Sequence, residues 1–421
     1  MNAAVLSKLR KRQTSISIPL RSCEMKDLDH LKLPRAGETS SRFTKEQALA
    51  AQKFHQTLPG YSVTRLVELP ALAKELGVKD IFVKDEASRF GLNSFKGLGG
   101  SYCLFHLLSE KYGWSGKVES FAQLKDQIAS LEEKPKIISA TDGNHGRGLA
   151  WICHLLGLRC EILMPAGSSE ERQENIRKLG ADCRRTDGNY DETVHEAERF
   201  ALENDWLLVQ DTALPGFEKV ARFIMHGYLT MALETVEQLK GKCPTHIFLQ
   251  AGVGSMAGAM CGFFASLYGP DVPVISIVEP KTADCVYRTA EKDDGKLHNA
   301  PGSLETIMAG LSCGEPCSVG WKEIRAAASH YFRIEESVAA DGVRVLSSPL
   351  ENDPRVLSGE SGAAGFGTAF ELLFHKAQYQ EEISSLGLNS ESVLLFFNTE
   401  GVTDRKNFLK IVWEGAFAEK V

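Results

Sequence analysis

The stretch RFGLNSFKGLGGSY, residues 89–102, decides how the chain is read. Just upstream, Asp80-Ile81-Phe82-Val83-Lys84 reads as a buried strand; downstream, SYCLFHLLSEKY reads as a helix with an apolar face. Lys96 therefore falls at a strand–loop–helix junction, followed at once by Gly97, Gly99 and Gly100. At such a junction a nest of backbone N–H groups and a helix N-terminus both favour an anion. A lysine placed there can hold a phosphate or, once partly desolvated, attack a carbonyl and form a Schiff base. A solvated lysine beside a tight turn is the plain alternative, and the rest of the chain has to decide.

The same alternation continues outward. KIISA (136–140), CEILMP (160–165), DCRRT (182–186) and WLLVQ (206–210) read as strands. Between them lie the helical stretches HGRGLAWICHLL, SSEERQENIRKLG and YDETVHEAERFALEN, with Ser168 and Glu171 at capping-box spacing. A second series runs through a helix at 218–240, HIFLQ (246–250), the glycine-rich AGVGSMAGAM, a further helix and VISIVEP (274–280). After a loop-rich 281–320, helices are expected around 321–329, 336–346 and 361–376, then a late strand SVLLFFN (392–398) and a short C-terminal helix. Thr44 to Leu58 and ALAKELGV (71–78) read as helices, and residues 1–40 as an extended, flexible arm. Strands separated by helices of this length predict an α/β fold: two doubly wound α/β domains with a cofactor cleft between them.

Bulk properties narrow the function. At 421 residues the chain is long enough for two or three domains, and its 43% hydrophobic and 24% charged residues are ordinary for a globular protein. A net charge of -7, with no basic stripe interleaved with aromatics, argues against nucleic acid. No run of 18 apolar residues is present, so no membrane span is expected. The ten cysteines lack CxxC or CxxH spacing, which argues against a metal site and for reduced thiols in the cytoplasm. Cys285 and Cys313, both near glycine-rich loops, leave a local disulfide open. The start, with Lys8, Arg10, Lys11, Arg12 and Arg21 and no acid before Glu24, has the character of a basic tail or of a mitochondrial transit peptide.

Three loops carry candidate chemistry. ATDGNHGRG (140–148) lies at the carboxyl end of a strand, where ligands bind in open α/β sheets. There Thr141, Asn144 and the amides around Gly143 can cradle a carboxylate, and Asp142 is held ionised by the helix dipole. Asp142 or Asn144 as a helix N-cap, with His145 a satisfied neighbour, is the structural alternative. AGVGSMAG brings Gly252, Gly254 and Gly258 to the start of a helix, a phosphate cradle that a dinucleotide site, with Glu279 as its ribose acid, would imitate. Asp211 follows a strand directly, either facing a cleft or capping the turn into ALPGF. A reactive lysine, a phosphate cradle, a carboxylate-binding loop and acids together match pyridoxal phosphate chemistry.

KDEASRFGLNSFKGLGGSY, ATDGNHGRGLAW, VQDTA, QAGVGSMAGAM, VEPKTADCVYR, TIMAGLSCGEP, SGESGAAGFG and NTEGVTD, taken in order, resemble the diaminopropionate ammonia-lyases. Those enzymes fall in the tryptophan synthase β-subunit-like, fold type II, pyridoxal phosphate family, and the likeness runs from about residue 40 to about 415. It implies a large cofactor-binding domain of 41–97 and 216–421, a small α/β domain of 98–215, and a homodimer. It makes Lys96 the Schiff-base lysine and Asp142 and Asp211 the catalytic acids. Asn144 would meet the cofactor's 3′-oxygen, and Gly252, Val253, Gly254, Ser255 and Met256 would grip its phosphate. Ser94, Thr141, Asp142, Gly143 and His145 would touch the amino acid substrate. Where the family has Ser-Thr-Glu-Gly this chain has Asn398-Thr399-Glu400-Gly401, so Asn398 or Thr399 would face the pyridine nitrogen. The implied reaction is elimination of 2,3-diaminopropionate, in either enantiomer, to pyruvate and two ammonia. A serine or threonine dehydratase and a non-catalytic or nicotinamide-binding relative stay open.

Overall fold

The computed structural model describes residues 26–37, 42–141, 143–213 and 216–418. Within them the strands are β1 Leu28–Lys32, β2 Leu66–Glu68, β3 Asp80–Asp85, β4 Lys136–Ala140, β5 Arg159–Met164, β6 Asp182–Arg185, β7 Leu207–Leu208, β8 His246–Gln250, β9 Val274–Pro280, β10 His330–Ile334 and β11 Val393–Asn398. They form two sheets, ordered β1-β10-β9-β8-β11-β3-β2 and β6-β5-β4-β7. In the larger sheet β10, β9, β8, β11 and β3 run parallel. Its two edges, β1 and β2, are antiparallel. The smaller sheet is parallel throughout. Every residue of β8 and β11 is buried, which is why these strands read as unbroken apolar runs rather than alternating ones.

The expected α/β architecture with a cleft is present, with corrections at its margins. Part of the predicted arm, Leu28–Lys32, is an edge strand registered antiparallel on β10. With only Leu28 fully buried, it carries almost no period-two signal. Residues 1–25 of the arm, with the basic start, and 38–40 lie outside the described residues. HYFRI (330–334) is β10, not loop or helix tail; His330 and Arg333 interrupt its apolar run. The preceding helix accordingly spans Ser318–Ala327. The helix expected to start with Ser168 is capped by Ser169, whose hydroxyl accepts the Arg172 N–H.

The helix Lys96–Lys111 is the spine between the two sheets. It packs against Asn144–Leu156 on one side and Glu218–Leu239 on the other. Both crossings depend on glycine. A Cβ on Gly148 would come within 2.8 Å of the Gly97 nitrogen, and one on Gly227 would collide with the Leu98 carbonyl. Below the loop that leads to Lys96 sits an ion cluster with no exposure: Lys84 and Arg89 on Glu234, both at 2.7 Å, and Arg89 on Glu86 at 2.8 Å.

Candidate active site

Lys96 opens its helix at the end of the loop that follows β3, and its Nζ meets Asp211 Oδ2 at 2.5 Å. Asp211 follows β7, so one element from each sheet end contributes to the pair. Its other oxygen, Oδ1, accepts from the Tyr190 hydroxyl (3.2 Å) and the Gln210 amide (3.3 Å). Burial, the largest single influence, would raise the Asp211 carboxyl; Lys96, then His145, outweigh it and hold the group well below the usual carboxylate range. His145 is fully buried and Nε2 lies 2.8 Å from the Val209 carbonyl. A carbonyl only accepts, so Nε2 carries the proton. Nδ1 then faces Asp211 Oδ2 at 3.9 Å with no hydrogen bond of its own among the described residues. Burial pushes the imidazole below its ordinary value, ahead of the opposing effect of Asp211.

The glycine loop after β8 closes the opposite wall. Gly254 has φ 89° and a Cβ on Gly252 would approach Cys313 Sγ and the Gly310 carbonyl at 3.1 Å, so both positions need glycine. The helix Ser255–Tyr268 begins there, and its first-turn N–H groups have no intrahelical partner. Ser255 Oγ donates to the Asp211 carbonyl oxygen at 2.6 Å, which ties this loop to the acid. A lysine amine and an anion-binding helix start thus share one cleft, the combination that pyridoxal phosphate requires, and the residues fit that group. The cleft is lined by Lys96, Asn144, Tyr190, Asp211, the 252–256 loop, Ser361, Thr399 and Glu400, among others. All but Tyr190 and Ser361 of these lie just past the carboxyl ends of parallel strands, β3, β4, β7, β8 and β11.

The remaining expectations separate. Thr399 lines the cleft, its hydroxyl accepting from Gln250 Nε2 at 2.9 Å. Asn398 does not. Its amide is committed to Asp85 (2.7 Å) and the Leu357 carbonyl, and its oxygen accepts from Ser358. Strand alternation sends adjacent side chains to opposite faces, so only one of the two can face the site. Ser94, Thr141, Gly143 and His145 do not line the cleft either. Ser94 accepts the Lys96 N–H (3.2 Å), and Thr141 caps the helix start by accepting from Gly143 and Gly146. Asp142 lies outside the described residues. Glu279, the imitation ribose acid, instead accepts the Val286 and Tyr287 amides and is spent on a helix start. Cys285 and Cys313 are buried thiols not joined to each other, so the open disulfide is not formed. Among the described residues no group of three or more His, Cys, Asp or Glu side chains could hold a metal.

Sequence reasoning gave no role to Tyr190, Gln250, Ser361 or Glu400. Gln250, Ser361 and Glu400 stood inside QAGVGSMAGAM, SGESGAAGFG and NTEGVTD, and that was the available signal. Tyr190 is the first residue of an ordinary capped helix and carries none.

The family model for pyridoxal-phosphate dependent enzymes matches residues 57–388. Diaminopropionate ammonia-lyase of Escherichia coli strain K12 is 47% identical over 384 residues, 91% of this chain and 95% of that protein. The crystal structure of holo diaminopropionate ammonia lyase from Escherichia coli superposes with a TM-score of 0.88 at 46% identity, covering 93% and 98% of the two chains. The structure of that enzyme in complex with an aminoacrylate-PLP azomethine reaction intermediate gives 0.85 at 45% identity, with the same coverage. With the lysine, the glycine cradle and the paired acid all standing in the matched region, the chain belongs to the pyridoxal-phosphate-dependent enzymes of fold type II, in the diaminopropionate ammonia-lyase family.

Proposed function

We propose that the chain converts 2,3-diaminopropionate and water to pyruvate and two molecules of ammonia with pyridoxal 5′-phosphate as cofactor. The observation that carries this reading is the Lys96–Asp211 pair set beside the 252–256 loop. When bound, the cofactor supplies the electron sink for charge developing at the substrate α-carbon. Lys96 would hold its aldehyde carbon, residues 252–256 its phosphate, Asn144 its 3′-oxygen and Thr399 its ring nitrogen. Thr399 already accepts from Gln250, so its own proton is left for the cleft.

Asp211 is the group that takes and returns a proton at Oδ2. Tyr190 and Gln210 fix Oδ1, so the basic oxygen is the one paired with Lys96. His145 presents Nδ1 toward that oxygen at 3.9 Å and packs against it without a hydrogen bond. Asp142, on the family resemblance, serves the opposite enantiomer. A carboxylate also suits the cationic 3-amino group that serine and threonine lack. We assign residues 41–97 and 216–421 to the large cofactor domain and 98–215 to the small one; the confinement of β4 to β7 within 98–215 supports this. The resemblance supports a homodimer, and the free thiols support a cytoplasmic setting.

The test is an absorbance spectrum of the purified protein followed by pyruvate release from each enantiomer. Wild type should carry a cofactor band near the visible edge that Lys96→Ala abolishes. An unchanged spectrum in that variant ends the proposal, and faster turnover of D-serine or threonine than of diaminopropionate reassigns the substrate.

A further inference from the structure

Glu400 lies two residues past β11 and is 1% exposed, yet it joins three separate stretches around the site. Its backbone bridges Ser94 in the Lys96 loop, while the flanking Thr399 carbonyl accepts the Phe95 N–H and the Gly401 N–H donates to Asn93. Its side chain reaches the other way. Oε2 accepts from Asn144 Nδ2 (2.5 Å) and from Thr403 Oγ1 (3.2 Å), and Oε1 accepts the backbone N–H of Ser361 (3.2 Å). The backbone around it is cut to fit, since a Cβ on Gly359 would lie 2.7 Å from Oε1. Capping the helix Glu360–Phe374 would account for Oε1 alone. Oε2 serves Thr403 and, across the cleft, Asn144 at the start of the helix that follows β4.

We propose that Glu400 is a positioning residue that locks the Asn144 amide in register with Lys96, so that the two sheets present amide and amine to one cofactor. This rests on the reading of the site as a pyridoxal phosphate enzyme. The chemistry singles out glutamate. Three donors converge on this side chain, and only an ionised carboxylate accepts all of them. A glutamine accepts through one atom, so at least one buried donor loses its partner; an aspartate is one methylene short of the span. Because an ionised carboxylate only accepts, it also dictates that Asn144 turns its nitrogen toward Glu400, with the second N–H left for the cleft. Asn144 would therefore grip the cofactor's oxygen as an amide held from behind, not as a free rotor.

The test measures pyridoxal phosphate binding to apoenzyme by equilibrium dialysis, together with the position of the cofactor absorbance band, in a double-mutant cycle. E400Q should weaken binding about 10- to 100-fold, the range expected for one orphaned buried donor, and shift the band. N144A should weaken it comparably. In the N144A background E400Q should add less than about twofold, because it acts through the lost amide. Wild-type affinity and an unmoved band in E400Q overturn the proposal, and so do effects that multiply in the double variant. N144D sets carboxylate against carboxylate, and adding E400Q restores an amide–carboxylate pair with the roles exchanged. The exchange removes the like-charge repulsion but leaves the cofactor's oxygen without a donor, so N144D/E400Q should regain denaturant midpoint relative to N144D while its affinity for pyridoxal phosphate stays at the N144A level; wild-type affinity in that double variant counts against the proposal even where E400Q alone folds poorly. Wild-type protein that binds no pyridoxal phosphate would instead remove the functional reading itself.

Discussion

Asp211 and Glu360 are both buried carboxyls, and their surroundings push them in opposite directions. Asp211 has the Lys96 ammonium, and although burial works against it, its carboxyl titrates below the usual carboxylate range. Its sign is that of a depressed acid: it contributes stability above the unfolded value of 3.8, lost only as pH falls through the lower folded value. Asp211 thus stays ionised through the working range. Asp211→Asn keeps the shape and removes the base, and should lower kcat about 100- to 10,000-fold for one enantiomer of diaminopropionate. Stopped-assay kinetics on both enantiomers check this; an equal small loss on both would deny Asp211 the role. Glu360 has no such cation close by. Burial and then the charge of Glu400 push its carboxyl up to about 7, against weaker opposing effects of Arg172 and Asn407. A raised acid contributes stability that is full below the unfolded value of 4.5 and is lost as pH rises through 7. Denaturant midpoints should therefore fall between about pH 4.5 and 7, by up to about 3 kcal/mol in free energy, and Glu360→Gln should flatten that slope. A parallel slope in the variant would place the titration elsewhere.

At the scale of elements, the site is an agreement between helices that cross on glycines. Gly97 and Gly148 meet at one crossing of the Lys96–Lys111 helix, and Gly227 with the Leu98 carbonyl at the other. Gly99 is held bare by Tyr228, whose ring would lie 2.5 Å from an added Cβ. Gly148→Ala should force the Asn144 and Lys96 helices apart, costing about 1–3 kcal/mol as overpacking does. It should also weaken cofactor retention more than a surface Gly→Ala such as at Gly167, where nothing lies near. Equal retention in the two variants would mean the crossing does not set the site. These crossings show what sequence could and could not deliver. The spine helix, β3, β4, β8 and β11 were legible because their apolar runs are buried on both faces, and Lys96, Asp211 and the 252–256 loop followed from strand ends. β1 and β10 were not: only Leu28 of β1 is fully buried, and His330 and Arg333 break the apolar run of β10. Thr399 and Asn398 could not be separated, because facing is fixed by register with β3 and β8, which only the folded sheet supplies. Glu400 and Tyr190 act through Asn144 and Asp211, 256 and 21 positions away, and no local pattern encodes such contacts.

For the molecule as a whole, the question is what keeps the loop carrying Lys96 in place while the two sheets share one ligand. The loop from 86 to 95 has Phe90 and Asn93 at positive φ, a conformation non-glycine residues adopt only when the surroundings impose it. The imposing structure is the buried ion cluster beneath it. Arg89 binds Glu86 within the loop and Glu234 on the long helix Glu218–Leu239, and Glu234 also takes Lys84 from β3. Tyr61 and the Thr64 amide donate to the same carboxylate, so strand, loop and helix converge on one side chain. Two cations and two anions cancel, so the cluster is neutral overall. Buried pairs of this kind add little over an apolar core, but breaking one strands its partners. Glu234→Gln should therefore leave Lys84 and Arg89 undercompensated and cost about 3–5 kcal/mol, read as a lower denaturant midpoint. The native carboxyl is held below its ordinary value, first against burial and chiefly by Arg89. Its stabilisation is thus present above the unfolded value of 4.5 and disappears in acid, whereas Glu234→Gln should be unstable at every pH. If the cluster anchors the loop, the variant should also release pyridoxal phosphate faster than it unfolds, measured as loss of the cofactor band below the onset of far-UV melting. A band that is lost only together with the fold would reduce the cluster to a global staple with no particular hold on Lys96.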